Sequence, residues 1–247
     1  MAQRYRGSLI GGAWALVQPL VMLAVYYMFF GLVFQARWGT SGAPRSAEGL
    51  GFATLLFIGL VLHALMAECL TRAPGLVREN ANLVKKLVFP LEVLVWPLVG
   101  QALFHAAIGL AIALAFALAG FGRLPAGALW LPVVLLPYLL TIAGLTFLLA
   151  ALGVFLRDLG QIVTPVVTAL LFFSPVFVPP EILPESWRAW LHLNPLTLAV
   201  EQARAVAIWG ETPNWGALAI AFGVGLAVAL SGAWAFRRLR HAFADLL

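Results

Sequence analysis

The sequence predicts an all-α integral membrane protein with six transmembrane helices. Of its 247 residues, 63% are hydrophobic and only 10% are charged, whereas about 25% of the residues in an ordinary soluble domain are charged. A soluble chain needs a polar surface to cover its core, and so few charges cannot provide one. This composition excludes a soluble enzyme, a disordered chain and, with a single cysteine, a disulfide scaffold.

The charges are clustered, and six charge-free runs between them are long enough to cross a membrane. A spanning helix needs about 20 apolar residues for a hydrocarbon core about 30 Å thick. Backbone polar groups in lipid must be satisfied within the segment, and continuous apolar runs favour helices over alternating strands. We expect one domain over 1–247, with spans at 13–35, 50–70, 93–120, 128–156, 160–178 and 213–236.

The basic residues predict the orientation of these spans. With six spans, both termini lie on the same side of the membrane. That side carries ten of the 15 lysines and arginines, and the other side carries five. Since cytoplasmic loops are enriched in Lys and Arg, we expect cytoplasmic N- and C-termini. The ten are Arg4, Arg6, Arg72, Arg78, Lys85, Lys86, Arg157, Arg237, Arg238 and Arg240.

The segment 71–92 between spans two and three, which we call the coupling loop, holds four of these ten bases. It is bounded by Pro74 and Pro90, and its apolar residues recur at about helical spacing, which predicts an amphipathic cytoplasmic helix. One interpretation is a basic anchor on anionic headgroups, and the other is a docking helix for a cytoplasmic partner. Composition alone favours the anchor.

The segment 179–212 between spans five and six, which we call the outer segment, is too long for a turn and too apolar for a solvated loop. Its prolines predict two short helices near 185–193 and 196–208. They are either interfacial or re-entrant, and a re-entrant pair would close the outer end of a pathway. Glu201 and Arg204 are three residues apart and can pair on one helical face.

Several kinds of site are missing from the sequence. There is no G-x-x-x-x-G-K-[ST] phosphate loop, and His, Cys, Asp and Glu show no metal-ligand spacing. No basic patch stands apart from the apolar segments, which disfavours nucleic acid. The spans contain few ionisable groups, which disfavours an ion-coupled carrier. We therefore expect no catalytic or metal-binding residues on this chain.

A series of short motifs is spread along the chain. The motifs are Glu79-Asn80 through Phe89-Pro90-Leu91-Glu92, Leu103-Phe104-His105, Leu152 to Gln161, Ser174-Pro175, Leu193-Asn194-Pro195-Leu196-Thr197 and Phe243-Ala244-Asp245. Together they resemble the membrane permease of type-2 ABC exporters, in the branch that moves polysaccharides and most of all in the O-antigen export permeases. The resemblance covers essentially the whole chain. The order and spacing of the motifs together make the resemblance specific.

The resemblance implies roles for the two unusual segments. The coupling loop would pack on an ATPase subunit, which reverses the preference from composition, and the outer segment would form a gate. The residues implied in ATPase coupling are Glu79, Asn80, Asn82, Lys85, Lys86, Phe89, Pro90, Arg157 and Asp158. The residues implied in the gate are Trp187, Trp190, Asn194, Pro195, Glu201 and Arg204. ATP and magnesium would bind to the partner and not to this chain.

The transported substrate implied is a lipid-linked polysaccharide, moved from the cytoplasm across the bacterial inner membrane. Aromatic rings can stack on the apolar C–H faces of sugars, although any single aromatic residue more often packs between helices or faces lipid. The candidates for lining a channel are Tyr26, Tyr27, Phe29, Phe30, Phe34, Phe172, Phe173 and Phe177. Because one chain with six spans can hardly enclose a wide pathway, we expect a homodimer joined to two ATPase subunits.

Three alternatives remain open at this point. The first is an exporter of teichoic acid, capsule polysaccharide or a small drug or lipid in the same superfamily. The second is a membrane enzyme acting on polyprenyl-linked substrates, for which Glu181, Glu185 and Glu201 form the acidic cluster on the outer side. The third is a structural membrane subunit without a pathway, which the two unusual segments disfavour.

Overall fold

A computed structural model describes residues 14–33, 37–38, 47–81, 90–177, 191 and 194–243. Their α-helices are α1 (Trp14–Tyr26), α2 (Gly49–Arg72), α3 (Leu76–Glu79), α4 (Val95–Phe121), α5 (Leu131–Phe155), α6 (Leu159–Phe172), α7 (Pro195–Arg204) and α8 (Trp215–Leu239). Turns of 3-10 helix lie at Ala73–Gly75, Leu91–Leu94, Ala126–Trp130 and Arg240–Ala242, and π-helical turns at Tyr27–Val33 and Ala205–Trp209. Two short antiparallel strands, β1 (Arg37–Trp38) and β2 (Ala47–Glu48), pair Arg37 with Glu48.

Four helical stretches are long and apolar enough to cross a membrane. They are Gly49–Glu79, Leu91–Phe121, Ala126–Phe155 and Trp215–Ala242. Two further apolar helices, Leu16–Phe30 and Leu159–Phe172, are shorter and overlap the first and fifth predicted spans. The prediction of a largely helical, multi-pass membrane protein is confirmed. The count of six spans, the cytoplasmic termini and the re-entrant geometry stay predictions.

Helical structure after α2 continues beyond the predicted end of span two near residue 70. A 3-10 turn, Ala73–Gly75, follows α2 directly and leads into α3. Pro74 lies in the first two residues of that turn. A proline is tolerated there because the backbone N–H that it lacks would have no partner within the helix, and its fixed φ suits a helical turn. Pro74 therefore changes the helix type without ending the helical segment.

The chain divides into two compact units, of which the first comprises residues 1–62, 103–131 and 174–213. Its core includes fully buried Leu55 and Leu56 on α2. Near the start of α2, glycines allow two backbones to approach, because a Cβ on Gly120 would lie 3.2 Å from the backbone nitrogen of Gly51. Close small-residue contacts of this kind are typical of helix pairs in membranes.

The second unit comprises residues 63–102, 132–173 and 214–247. Here α5 and α8 cross closely, since a Cβ on Gly232 would overlap the carbonyl oxygen of Gly144. A Cβ on Gly225 would lie 2.6 Å from the carbonyl oxygen of Pro137. Aromatic rings in edge-on contacts pack around this crossing, and they belong to Trp96, Phe147, Phe155, Phe236 and Phe243.

Candidate functional site

The first part of the coupling loop, the 3-10 turn and α3, has buried apolar side chains and an exposed C-terminal end. The apolar side chains of Pro74, Leu76 and Val77 are buried, so the 3-10 turn and α3 pack against the rest of the second unit, to which they belong. Arg78 is half-buried and Glu79 is exposed. The amphipathic pattern of this stretch thus places its charged residues at the outer face, as expected for a surface that meets a partner.

Arg78 connects the coupling loop to the end of α5. Its Nε donates a hydrogen bond to the carbonyl oxygen of Gly153 at 2.9 Å, and its Nη2 donates to the same oxygen and, at 3.2 Å, to that of Leu156. The last carbonyls of a helix lack partners within the helix, and the negative end of the helix dipole favours a cation. We call Arg78, Gly153 and Leu156 the Arg78 cluster.

A direct backbone contact accompanies these hydrogen bonds. A Cβ on Gly153 would overlap the carbonyl oxygen of Pro74, so only glycine permits this approach. Gly160, in the first turn of α6, lies close to the Pro74 ring as well. The 3-10 turn of the coupling loop is therefore packed against the turn that joins α5 to α6.

The Arg78 cluster brings together the two segments that the sequence implicated in ATPase coupling. Arg78 adjoins Glu79, and Leu156 adjoins Arg157 and Asp158, which are both exposed. The Asn80 side chain donates to the carbonyl oxygen of Leu76 at 2.8 Å, at the end of α3. Pro90 is exposed, and Asn82, Lys85, Lys86 and Phe89 lie outside the described residues.

The far end of the coupling loop carries an ion pair. Arg240 Nη1 lies 2.7 Å from Glu92 Oε1, and Arg237 Nε lies 4.0 Å from the same oxygen. Arg240 belongs to the 3-10 turn that follows α8, so this pair joins the coupling loop to the end of α8. Because the Arg240 side chain is 42% exposed, the pair contributes at most about 1 kcal/mol to stability.

The outer segment contains a buried arginine. Arg204 Nε and Nη2 donate to the carbonyl oxygen of Leu55 at 3.0 and 2.7 Å. Its Nη1 donates to Pro175 O at 2.5 Å and its Nη2 to Val176 O at 3.0 Å. Gly59 leaves the room for this guanidinium, since a Cβ there would lie 3.0 Å from Arg204 Nη2. We call these residues the Arg204 cluster.

The environment of Arg204 differs from the simple pairing with Glu201 that the spacing allowed. Burial lowers the pKa of the guanidinium to about 9, and the charge of Glu201 acts in the opposite direction. The group stays protonated at neutral pH, and it is compensated by backbone carbonyls as well as by a carboxylate. Buried charges persist only with such hydrogen-bonded compensation.

Two further gate candidates start the helix that carries Arg204. Asn194 Oδ1 accepts a hydrogen bond from the backbone N–H of Leu196 at 3.0 Å, which makes Asn194 the N-cap of α7. Pro195 occupies the first helical position, where proline is favoured. The predicted helix near 196–208 is observed as α7 with the π-helical turn up to Trp209. Trp187 and Trp190 lie outside the described residues.

The aromatic channel candidates differ in exposure. Phe172 and Phe173 at the end of α6 are 70% and 50% exposed, and Phe29 on the first helical segment is 45% exposed. Phe30 is half-buried and packs on Phe52, with ring centroids 6.1 Å apart. The others described are half-buried, namely Tyr26, Tyr27 and Phe177, whereas Phe34 lies outside the described residues. A role in lining a channel stays a prediction for all of them.

Sequence reasoning missed Arg78, the pairing of Glu92 with Arg240, and the burial of Arg204. It treated Arg78 and Arg240 only as charges that set orientation, and for Arg204 it considered only a pairing with Glu201. Their partners lie far away in sequence, since Arg78 and Gly153 are 75 positions apart and Arg204 and Leu55 are 149 apart. No local pattern predicts such contacts. Within the part of the chain that the structure describes, no group of three or more His, Cys, Asp or Glu could hold a metal ion.

The long apolar helices define a membrane protein in which arginine side chains connect segments that are distant in sequence. The ABC-2 type transporter family matches residues 1–208, and the chain belongs to that family. Two O-antigen export system permease proteins, RfbA, of Klebsiella pneumoniae are each 24% identical to it over 246 residues, which cover 99% of this chain and 90% of the relative. RfbA of Myxococcus xanthus is 28% identical over 245 residues, which cover 98% and 90%.

These findings confirm the resemblance drawn from the motifs. The relatives are permeases and the family is one of transporters. The chain is therefore a transport subunit and not an enzyme. The family also implies an ATPase partner for this membrane subunit.

Proposed function

We propose that this chain is the membrane permease subunit of an ATP-driven exporter that carries a lipid-linked polysaccharide of O-antigen type. The substrate would move from the cytoplasm across the bacterial inner membrane. The observation that carries the proposal is the similarity, over 98% or more of the chain, to O-antigen export permeases of two bacteria. ATP and magnesium would bind to a separate ATPase subunit.

The ATPase would dock on the coupling loop and on the turn between α5 and α6. Exposed Glu79, Arg157 and Asp158 support this assignment, because the Arg78 cluster connects their two segments into one surface. Asn80, Pro90 and the undescribed Asn82, Lys85, Lys86 and Phe89 would complete the contact. Charges of both signs on such a surface would orient the partner during association.

The substrate would pass along a pathway formed by two copies of the chain, each bound to one ATPase subunit. The exposed rings of Phe172 and Phe173 support a role for α6 in lining this pathway. Sugar rings have apolar C–H faces, and broad aromatic contacts with them permit sliding. Phe29 and the neighbouring aromatic residues of the first predicted span, 13–35, would also line the pathway.

The outer segment would act as the gate. Asn194 and Pro195 fix the start of α7, and Arg204 fixes its end through carbonyl groups. Glu201 lies one turn before Arg204 and contributes its charge to that cluster. Trp187 and Trp190 would anchor the preceding part of the gate in the membrane interface.

Deletion of the encoding gene tests this proposal. Without the chain, lipid-linked glycan should accumulate on the cytoplasmic side of the inner membrane, and a plasmid carrying the chain should restore its appearance outside. An empty plasmid is the control. An unchanged glycan distribution would contradict the proposal. Accumulation of teichoic acid, capsule polysaccharide or a drug would favour another exporter of the superfamily, and chemistry by the purified chain alone would favour the membrane enzyme.

A further inference from the structure

Both ends of the coupling loop are attached to helices that are not its neighbours in sequence. The loop follows α2 and precedes α4. Near its start, Arg78 binds carbonyl oxygens at the end of α5. At its far end, Glu92 pairs with Arg240 in the turn after α8. The loop therefore contacts the ends of two other helices of the second unit.

These two helices, α5 and α8, pack closely against each other. A Cβ on Gly144 would overlap the carbonyl group of Val228, and a Cβ on Gly232 would overlap that of Gly144. Phe147 on α5 packs edge-on against Phe236 on α8, with ring centroids 5.8 Å apart. Interiors packed at this density transmit displacement instead of absorbing it.

We propose that the coupling loop moves α5 and α8 together as one body, through the Arg78 cluster at one end and the Glu92–Arg240 pair at the other. This inference rests on the proposed function, in which an ATPase displaces the loop. Pressure on the loop passes through the contact of Pro74 with Gly153. Tension passes through the hydrogen bonds of Arg78, whose planar guanidinium binds two carbonyl oxygens at once.

Arg78 and Arg240 are then positioning residues, because they act through backbone and helix ends and touch no substrate. Arg72 provides a matched comparison on the same loop. It is exposed and pairs with Glu68 at 3.2 Å within its own helical segment. Gln101 on α4 donates to the same Glu68 oxygen at 3.1 Å, and that hydrogen bond between α2 and α4 does not require Arg72.

The test measures export per ATP hydrolysed in membrane vesicles that contain the chain and the ABC ATPase that purifies with it. Arg78→Ala should lower export per ATP about ten-fold, the effect of a coupling free energy in the usual range. ATP hydrolysis per bound ATPase should stay within about two-fold of wild type, a change too small to count as coupling on that same scale. ATPase binding is measured as well, so that both rates refer to the amount of assembled complex. Arg72→Ala should match wild type in all three measurements.

A purely structural role for Arg78 would lower the amount of folded complex but leave export per ATP unchanged. That ratio is therefore the deciding readout. Wild-type coupling in Arg78→Ala would overturn the proposed route. A wild-type chain that purifies without any ABC ATPase and exports nothing would instead overturn the proposed function, so that the two failures are distinguishable.

If Arg78→Ala fails to fold, variants of the Glu92–Arg240 pair provide a second test. Arg240→Glu changes a partly exposed side chain and places two carboxylates together, and it should lower export per ATP about five-fold. Adding Glu92→Arg in the same chain reverses the pair and should restore most of the loss. Full coupling in Arg240→Glu, or the lack of rescue by the reversed pair, would overturn this part of the route.

Discussion

Replacing Arg204 with methionine should destabilise the first unit of the protein. Methionine has a similar length but donates no hydrogen bonds. Leu55 lies within α2, so its carbonyl oxygen keeps a helical partner, whereas Pro175 and Val176 lie in the turn after α6. Both of these residues are buried, and their carbonyl groups would lose the guanidinium that binds them.

The size of the effect follows from these two carbonyl groups. A buried acceptor that loses its partner costs about 1–3 kcal/mol, so the two together cost about 2–6 kcal/mol. Removing a buried cation returns part of its desolvation cost, which lowers both limits and leaves a net loss of about 1–4 kcal/mol. For a chain of this length, that loss corresponds to a fall in Tm of about 2–16 °C.

The assay is thermal unfolding of the detergent-purified chain, with Arg123→Met as the matched control. Arg123 belongs to the same unit and is exposed, so its replacement should change stability by less than about 0.5 kcal/mol. Arg204→Lys keeps the charge but lacks the planar fork, and should fall between wild type and Arg204→Met. Equal melting of Arg204→Met and Arg123→Met would refute the reasoning.

Three further predictions concern the other features of the chain. Gly232→Val should abolish folded protein in purification, because a Cβ there overlaps a carbonyl of α5, whereas Gly223→Ala faces open space and should cost nothing. The charge reversals Lys85→Glu and Lys86→Glu together should remove the ATPase from co-purification; unchanged co-purification and export would contradict docking on the coupling loop. Phe172→Ala should slow export about two- to ten-fold at unchanged ATP hydrolysis, since an aromatic contact is worth about 0.5–1.5 kcal/mol; an unchanged export rate would argue against a pathway role.

The positions of the long helices could be read from the sequence because lipid imposes one strong rule. A charge-free run must be helical and must reach across the hydrocarbon core. Helix α4 at Val95–Phe121 covers most of the expected span 93–120, and helix α8 at Trp215–Leu239 covers most of the expected span 213–236. The continuation of α2 through Pro74 was missed, because proline ends helices in one context and begins helical turns in another.

The residues of the candidate site could be predicted only where they belong to a motif that resembles the family. The motif around Glu79 and the Arg157-Asp158 turn were identified separately, and nothing in the sequence of either segment indicates that the two lie next to each other. That connection depends on Arg78, which binds carbonyls far along the chain. Carbonyl acceptors exist at every residue, so the sequence cannot indicate which of them an arginine will bind.

The arginine clusters also bear on the orientation prediction. The count of ten basic residues against five treated every Lys and Arg as a free surface charge. Arg78 and Arg204 instead bind backbone carbonyl groups, and those of Leu156 and Val176 lie just beyond helix ends, where an apolar chain has few other donors to offer. Leaving out both changes the count to nine against four, so the bias toward the side of the termini does not depend on them. The predicted orientation thus rests on the remaining charges, while Arg78 and Arg204 connect parts of the chain that are far apart in sequence.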